Sequence, residues 1–228
     1  MNVLVVGAHP DDELLGLGGT IIRHIAMGDK VSVLLLTDGH TSRFRDPSRA
    51  GEHSPEVVAR VESAEKAAQL LGFDLYFAPF FDQRLDIVPH IELVHAIEKV
   101  ASEIKPNIVY CHHKGDVNTD HQVTFSACMT SFRSVGQDYP TKLLCYETFS
   151  STEWGVPSGE AYFMPNVIVD ITQFLDKKIE ALKLYEQEMR AFPHPRSYEG
   201  IKIAAQRWGS VIGVHAAEAF MLIREVVK

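Results

Sequence analysis

The sequence predicts an α/β fold in one domain over residues 1–228, a mainly parallel sheet with helices on both faces. Short runs rich in Val, Ile and Leu, bounded by turn residues, alternate with segments of helical period, the pattern of βαβα units. Those runs are apolar at nearly every position rather than at every second one, so both faces of each strand are buried, as in a parallel sheet. With 228 residues, 46% hydrophobic and 23% charged, the chain has ample material for one core and need not split in two.

The strands are expected at Val3 to Val6, Val31 to Leu36, Leu75 to Ala78, Ile108 to Cys111, Leu143 to Tyr146 and Val167 to Val169. Between them the apolar spacing predicts helices over Glu13 to Met27, Pro55 to Leu71, Pro89 to Ile104 and Asp120 to Phe132. Gly28-Asp29 and Gly72 stand where the first two helices should stop, and Pro106-Asn107 precedes a strand. In the last third, Thr172 is the expected N-cap of a helix from Gln173 to Ala191. A proline-framed turn, Phe192-Pro193-His194-Pro195-Arg196, then leads to a further helix from Tyr198 to Trp208. Phe220, Met221 and Leu222 are read as core, with an interface between copies left open.

A formal net charge of -8, spread along the chain, disfavours nucleic acid as a partner. Cys111, Cys128 and Cys145 match neither a zinc CxxC spacing nor a disulfide framework, and read as buried reduced thiols. No basic leader and no run long enough to span a bilayer is apparent, so the expectation is a cytoplasmic protein.

Ligands of open α/β sheets bind at the carboxyl ends of strands, and two polar loops follow strands here. After the first comes Ala8-His9-Pro10-Asp11-Asp12-Glu13; after the fourth comes His112-His113-Lys114-Gly115-Asp116-Val117-Asn118-Thr119-Asp120-His121. His9 and Asp12, three positions apart on a proline-closed turn, can converge on one cation, and His121 is the natural third ligand. Two imidazoles and a carboxylate leave a position open for water, whose pKa a catalytic zinc lowers to about 7. Asp11 then remains as general base, and Asp120 as a partner that orients an imidazole. The bland alternative makes Asp11 and Asp12 caps of the following helix and His121 an ordinary first-turn residue.

With the Asp120-His121 pair, the loop Ala8 to Glu13 resembles the LmbE-like, or PIG-L-type, N-deacetylase superfamily. The resemblance extends to Leu36-Thr37-Asp38-Gly39, Arg60 and Glu62, and covers most of residues 1–125. It implies a Rossmann-like fold, zinc or another divalent metal such as iron(II), and hydrolysis of the acetamide of an N-acetylated amino sugar. By that resemblance His9, Asp12 and His121 are the ligands, Asp11 the base, and Arg60 faces the substrate. One departure stands out: Asn118 occupies the place of a family histidine that assists the tetrahedral intermediate. An amide donates a hydrogen bond but does not shuttle a proton. Hence either Asp11 acts as base and acid, or His112, His113 or His194 supplies the proton, with Arg196 brought alongside His194.

The substrate is expected to be an N-acetyl amino sugar or its conjugate. Three arginines in Thr41 to Arg49 suit a nucleotide-linked one, and aromatics in Phe149 to Trp154 suit stacking on a sugar ring. Two other readings compete. One keeps the metal but hydrolyses another amide or an ester; the other is a Rossmann-like nucleotide-binding module in which Gly7, Gly16, Gly18 and Gly19 cradle a phosphate. The glycine spacing departs from GxGxxG, and acidic residues in the loop repel phosphate.

Overall fold

A computed structural model describes residues 1–39, 55–135 and 139–227. Seven strands, β1 (Asn2–Gly7), β2 (Lys30–Thr37), β3 (Asp74–Phe80), β4 (Ile108–His112), β5 (Lys142–Tyr146), β6 (Val167–Asp170) and β7 (Ala217–Glu225), form one sheet ordered β3-β2-β1-β4-β5-β7-β6. The first five strands are parallel, whereas β7 runs antiparallel between β5 and β6. The helices are α1 (Asp12–Ala26), α2 (Pro55–Leu71), α3 (His90–Ile104), α4 (Thr119–Ser131), α5 (Leu175–Leu182) and α6 (Tyr198–Ile212).

The unbroken apolar runs feed two cores, one on each face of the sheet. Val3, Val5, Val31, Val33 and Leu35 pack with Leu14, Leu17 and Ile21 of α1 on one side. Leu4, Val6, Leu34 and Leu36 pack with Leu93 and Ile97 of α3 and Cys128 of α4 on the other. Successive side chains point to opposite faces, so each strand serves both cores. Each fully buried Val or Leu contributes about 1.5–3 kcal/mol. Gly28 ends α1 in the left-handed region at φ 82°, a conformation that costs glycine nothing.

Strand order reverses between β1 and β4, which are hydrogen-bonded neighbours in the centre of the sheet. The crevice at their carboxyl ends is the expected ligand position, and both polar loops open onto it.

The last third differs from expectation. Instead of one helix to Ala191, α5 stops at Leu182 and a 3-10 stretch, Lys183–Glu188, follows. The departure from helix falls at Tyr185, whose hydroxyl donates to Glu13 Oε1 at 2.8 Å. A tertiary anchor therefore overrides the local period. Thr172 does not cap the helix; its N–H donates to Asp170 Oδ1, and the cap position is Phe174. The strand β7 has no counterpart among the expected elements, although Phe220 does lie in the core. The three cysteines are buried and free. Among the described residues no helix is long and apolar enough to cross a membrane.

Candidate metal centre

His9, Asp12 and His121 meet in the crevice, all buried, with one ligand atom from each lying within 4.8 Å of the others. His9 and Asp12 follow β1 and are tied locally, because the His9 N–H donates to Asp12 Oδ2 at 2.7 Å. His121 sits in the first turn of α4, and Asn118 starts that helix by accepting the Asp120 N–H at 2.9 Å.

The hydrogen bonds around the two imidazoles assign their tautomers. His9 Nε2 lies 3.1 Å from both Asp82 Oδ1 and Asp120 Oδ2, so Nε2 carries the proton and Nδ1 keeps its lone pair. His121 Nδ1 lies 3.0 Å from Asp116 Oδ2, so its Nε2 is the bare nitrogen. The two lone-pair nitrogens are 3.3 Å apart, and Asp12 Oδ1 is 3.4 Å from His121 Nε2 yet accepts no hydrogen bond. Asp12 Oδ2 lies 3.4 Å from His9 Nδ1, so the carboxylate faces both lone pairs, and its buried donorless oxygen is costly unless a positive charge stands among them. This donor set of two N and one O fits zinc, and outward carboxylates on the imidazoles are the usual supports of such ligands.

Without a cation the same carboxylates draw protons. Burial pushes His121 down, but Asp12 and Asp116 outweigh it and raise its pKa to about 9. His9 is likewise raised: burial opposes it, and Asp12, Asp120 and Asp82 prevail. Asp116 falls to about 2; burial opposes this, and the His121 contact with the Ser151 and Thr152 hydroxyls overcomes it. The Thr152 hydroxyl donates to Asp116 Oδ2 at 2.6 Å, and that of Ser151 donates to Oδ1. His112 stacks under His121 with ring centroids 3.9 Å apart, and burial together with His121 lowers its pKa to about 4. Its Nε2 takes the Ala8 N–H at 3.0 Å and lies 3.1 Å from Asp12 Oδ2. A neutral, enclosed ring makes His112 a wall of the site. His113 is buried against Phe163.

Asp11 takes a different direction from its neighbour. It stands at φ 113° as the N-cap residue of α1, yet its carboxylate does not cap the helix. Oδ2 instead receives Arg60 Nη2 and Arg196 Nη1, each at 3.0 Å. Arg60 is also held by Glu188 at 2.9 Å and lies over the Tyr185 ring. The Asp11 N–H donates to Glu13 Oε2 at 3.0 Å, and burial, with Asp11 nearby, raises Glu13 to about 7. His194 is partly buried near Trp154, its Nδ1 accepting the Arg196 N–H at 3.1 Å.

The structure thus brings His9, Asp11, Asp12, His121, Asp120, Arg60 and Arg196 to one crevice. Asp82, Asp116, Glu13 and Glu188 also belong to it and are not singled out by the sequence. Of these, Glu13 closes the loop Ala8 to Glu13 and Asp116 stands in the His- and Asp-rich loop of His121, so both have a local signal, whereas Asp82 and Glu188 have none. The arginine loop Thr41 to Arg49 lies outside the described residues. Phe149 packs against the core, while Trp154 is exposed. The α1 glycines serve packing: a Cβ on Gly16 would come 2.4 Å from the Tyr146 ring, and one on Gly19 would come 2.7 Å from Ile171. Side chains fill the space that a phosphate would need there.

Fold and site define an α/β protein with a buried centre of two histidines and one carboxylate at the topological switch point. Its sequence carries the matter further. Residues 4–132 match the model of the PIG-L family, described as GlcNAc-PI de-N-acetylase, and the chain belongs to that family. It is 26% identical to the uncharacterised deacetylase YaiS of Escherichia coli K12, over 81% of this chain and 90% of that one. A diacetylchitobiose deacetylase of Thermococcus kodakarensis is 27% identical, over 82% of this chain and 70% of that one. Among solved structures, the conserved protein TT1542 of Thermus thermophilus superposes with a TM-score of 0.75 at 25% identity, covering 100% of this chain and 97% of that one.

Proposed function

We propose that this protein is a zinc-dependent hydrolase that removes the N-acetyl group from an N-acetylated amino sugar or its conjugate, nucleotide-linked sugars included. The supporting observation is the Asp12 carboxylate beside the inward nitrogens of His9 and His121 with its Oδ1 donorless, one residue from an arginine-held Asp11. The names of its relatives in the family set the substrate class. His9, Asp12 and His121 hold the metal, and Asp120 and Asp116 orient its imidazoles. Zinc bound there supplies Lewis acidity, which polarises a carbonyl and lowers the pKa of water; iron(II) can serve the same end.

Asp11 is the general base that takes a proton from the attacking water. Arg60 and Arg196 fix Oδ2, which leaves the orientation of the second oxygen set. Such a base contributes about 10²–10⁴-fold. The Asn118 side-chain carbonyl is committed to the Asp120 N–H, so its NH2 remains to donate toward a developing oxyanion. The proton that Asp11 takes from water is the one it returns to the leaving amine, so the step balances on one carboxyl; His194, whose Nδ1 receives the Arg196 N–H, keeps its proton on Nε2 and offers it as a hydrogen bond only. Buried reduced cysteines suit a cytoplasmic setting.

The test is acetate release from a panel of N-acetyl amino sugars, their glycosides and their nucleotide conjugates by zinc-loaded protein. Expected is turnover of at least one member, abolished by chelator and restored by zinc. A fully zinc-loaded preparation that releases acetate from none would overturn the reading.

A further inference from the structure

The helix α1, which begins at Asp12, is interrupted at Leu17 (φ -147°, ψ 26°). In a regular helix the Leu15 carbonyl would accept the Gly19 N–H, and the Gly16 carbonyl the Thr20 N–H. Here Lys178 Nζ donates to the Leu15 carbonyl at 3.0 Å. Glu218 Oε1 takes the Gly19 N–H at 2.9 Å, and Oε2 takes the Thr20 N–H at 2.7 Å. The two side chains join each other at 2.6 Å, and both are buried. An ion pair from α5 and β7 is therefore inserted into the backbone ladder of α1, an identifiable cause of a helix break.

From this we infer that Lys178 and Glu218 are positioning residues for the Asp11-Asp12 turn. The break frees the segment 12–16 from the axis of 18–26, and neighbouring contacts fix where the freed segment points. Gly16 is pressed on the Tyr146 ring, the Tyr146 hydroxyl donates to the Val6 carbonyl at 3.0 Å, and the Asp12 carboxylate returns to the His9 N–H. A closed ladder would swing Asp11 and Asp12 away from His121 and Arg196. A buried ion pair is weak evidence of net stability, and the backbone contacts of this one give it a geometric role. The proposal rests on the metal reading above for one of its two readouts only.

Lys178→Met leaves Glu218 charged and buried, and that variant is prone to unfold. The double variant Lys178→Met with Glu218→Gln is neutral and is the one to measure, beside wild type. The first readout is hydrogen–deuterium exchange of the metal-free proteins. Faster exchange is expected through residues 9–20 while β2 and β4 keep wild-type protection. The second is zinc affinity by chelator competition, expected to weaken about tenfold, the scale of lost outer support for a ligand. If exchange rises only at 18–20 and zinc affinity is unchanged, the pair is merely structural and the inference is overturned. If wild type takes up no zinc yet exchange rises through 9–13, the positioning role stands and the metal reading falls.

Discussion

Asp11 and Asp12 are consecutive carboxylates on one turn, and their surroundings are opposite in kind. Asp12 faces two imidazole nitrogens, and behind those imidazoles stand Asp82, Asp116 and Asp120. Asp11 faces two guanidinium groups, with Glu188 behind both of them. Residue type alone does not distinguish the pair; backbone direction at Asp11, φ 113°, does. In the function proposed above, one wall of the crevice holds a cation, and the other holds a carboxylate still while it exchanges a proton.

The sharpest way to break that contrast is to remove the cation-holding side. Asp12→Ala or His121→Ala is expected to lose zinc well beyond the roughly 10–100-fold of an outer-partner change, with metal content by mass spectrometry as the readout. Stoichiometric zinc in either variant would take that residue out of the ligand set. On the other wall, Asp11→Asn should keep its zinc while kcat falls about 10²–10⁴-fold; turnover near wild type would end its role as base. Asp116→Asn sits between these extremes. It should weaken zinc by about 10–100-fold, with kcat near wild type once the metal is saturating. Arg196→Ala should leave zinc uptake alone and lower kcat by roughly tenfold, as loss of an outer partner does. Glu147 supplies a control of a third kind. It is a largely enclosed carboxylate that accepts the Trp208 N–H at 2.8 Å, and burial raises its pKa. A raised carboxyl pKa means the unfolded chain ionises first, so stability is full below the ordinary value and falls as pH rises through the folded one. Glu147→Gln should therefore be relatively more stable at pH 8 than at pH 5, with zinc uptake unchanged, in paired thermal melts.

The five parallel strands and α1 to α4 are legible in the sequence because apolar runs and helical period coincide with burial there. The strand β7 is not, since a nine-residue segment carrying Glu218 and Arg224 among apolar residues gives no period that separates strand from helix. Nor is the end of α5: Leu175, Ile179, Leu182 and Tyr185 continue a helical stripe, and only the distant Glu13 shows why the turn tightens at Tyr185. At the site, His9, Asp12 and His121 announce themselves through position after strands. Asp116 and Asp120 share the loop of His121, but the supports from other segments behave otherwise. Asp82 reaches His9 from the segment after β3 and Glu188 reaches Arg60 from the segment after α5, and no local pattern encodes a partner that far along the chain.

The span between Gly19 and Glu218 has a consequence for biosynthesis. A hydrogen bond separated by 199 positions ties the first helix to a strand translated near the end of the described chain. Domains acquire their parts in the order the ribosome delivers them, and such distant pairings form late. While residues 20 to 217 are being added, the nascent polypeptide carries His9 and Asp12 without the carboxylate that occupies the break in α1.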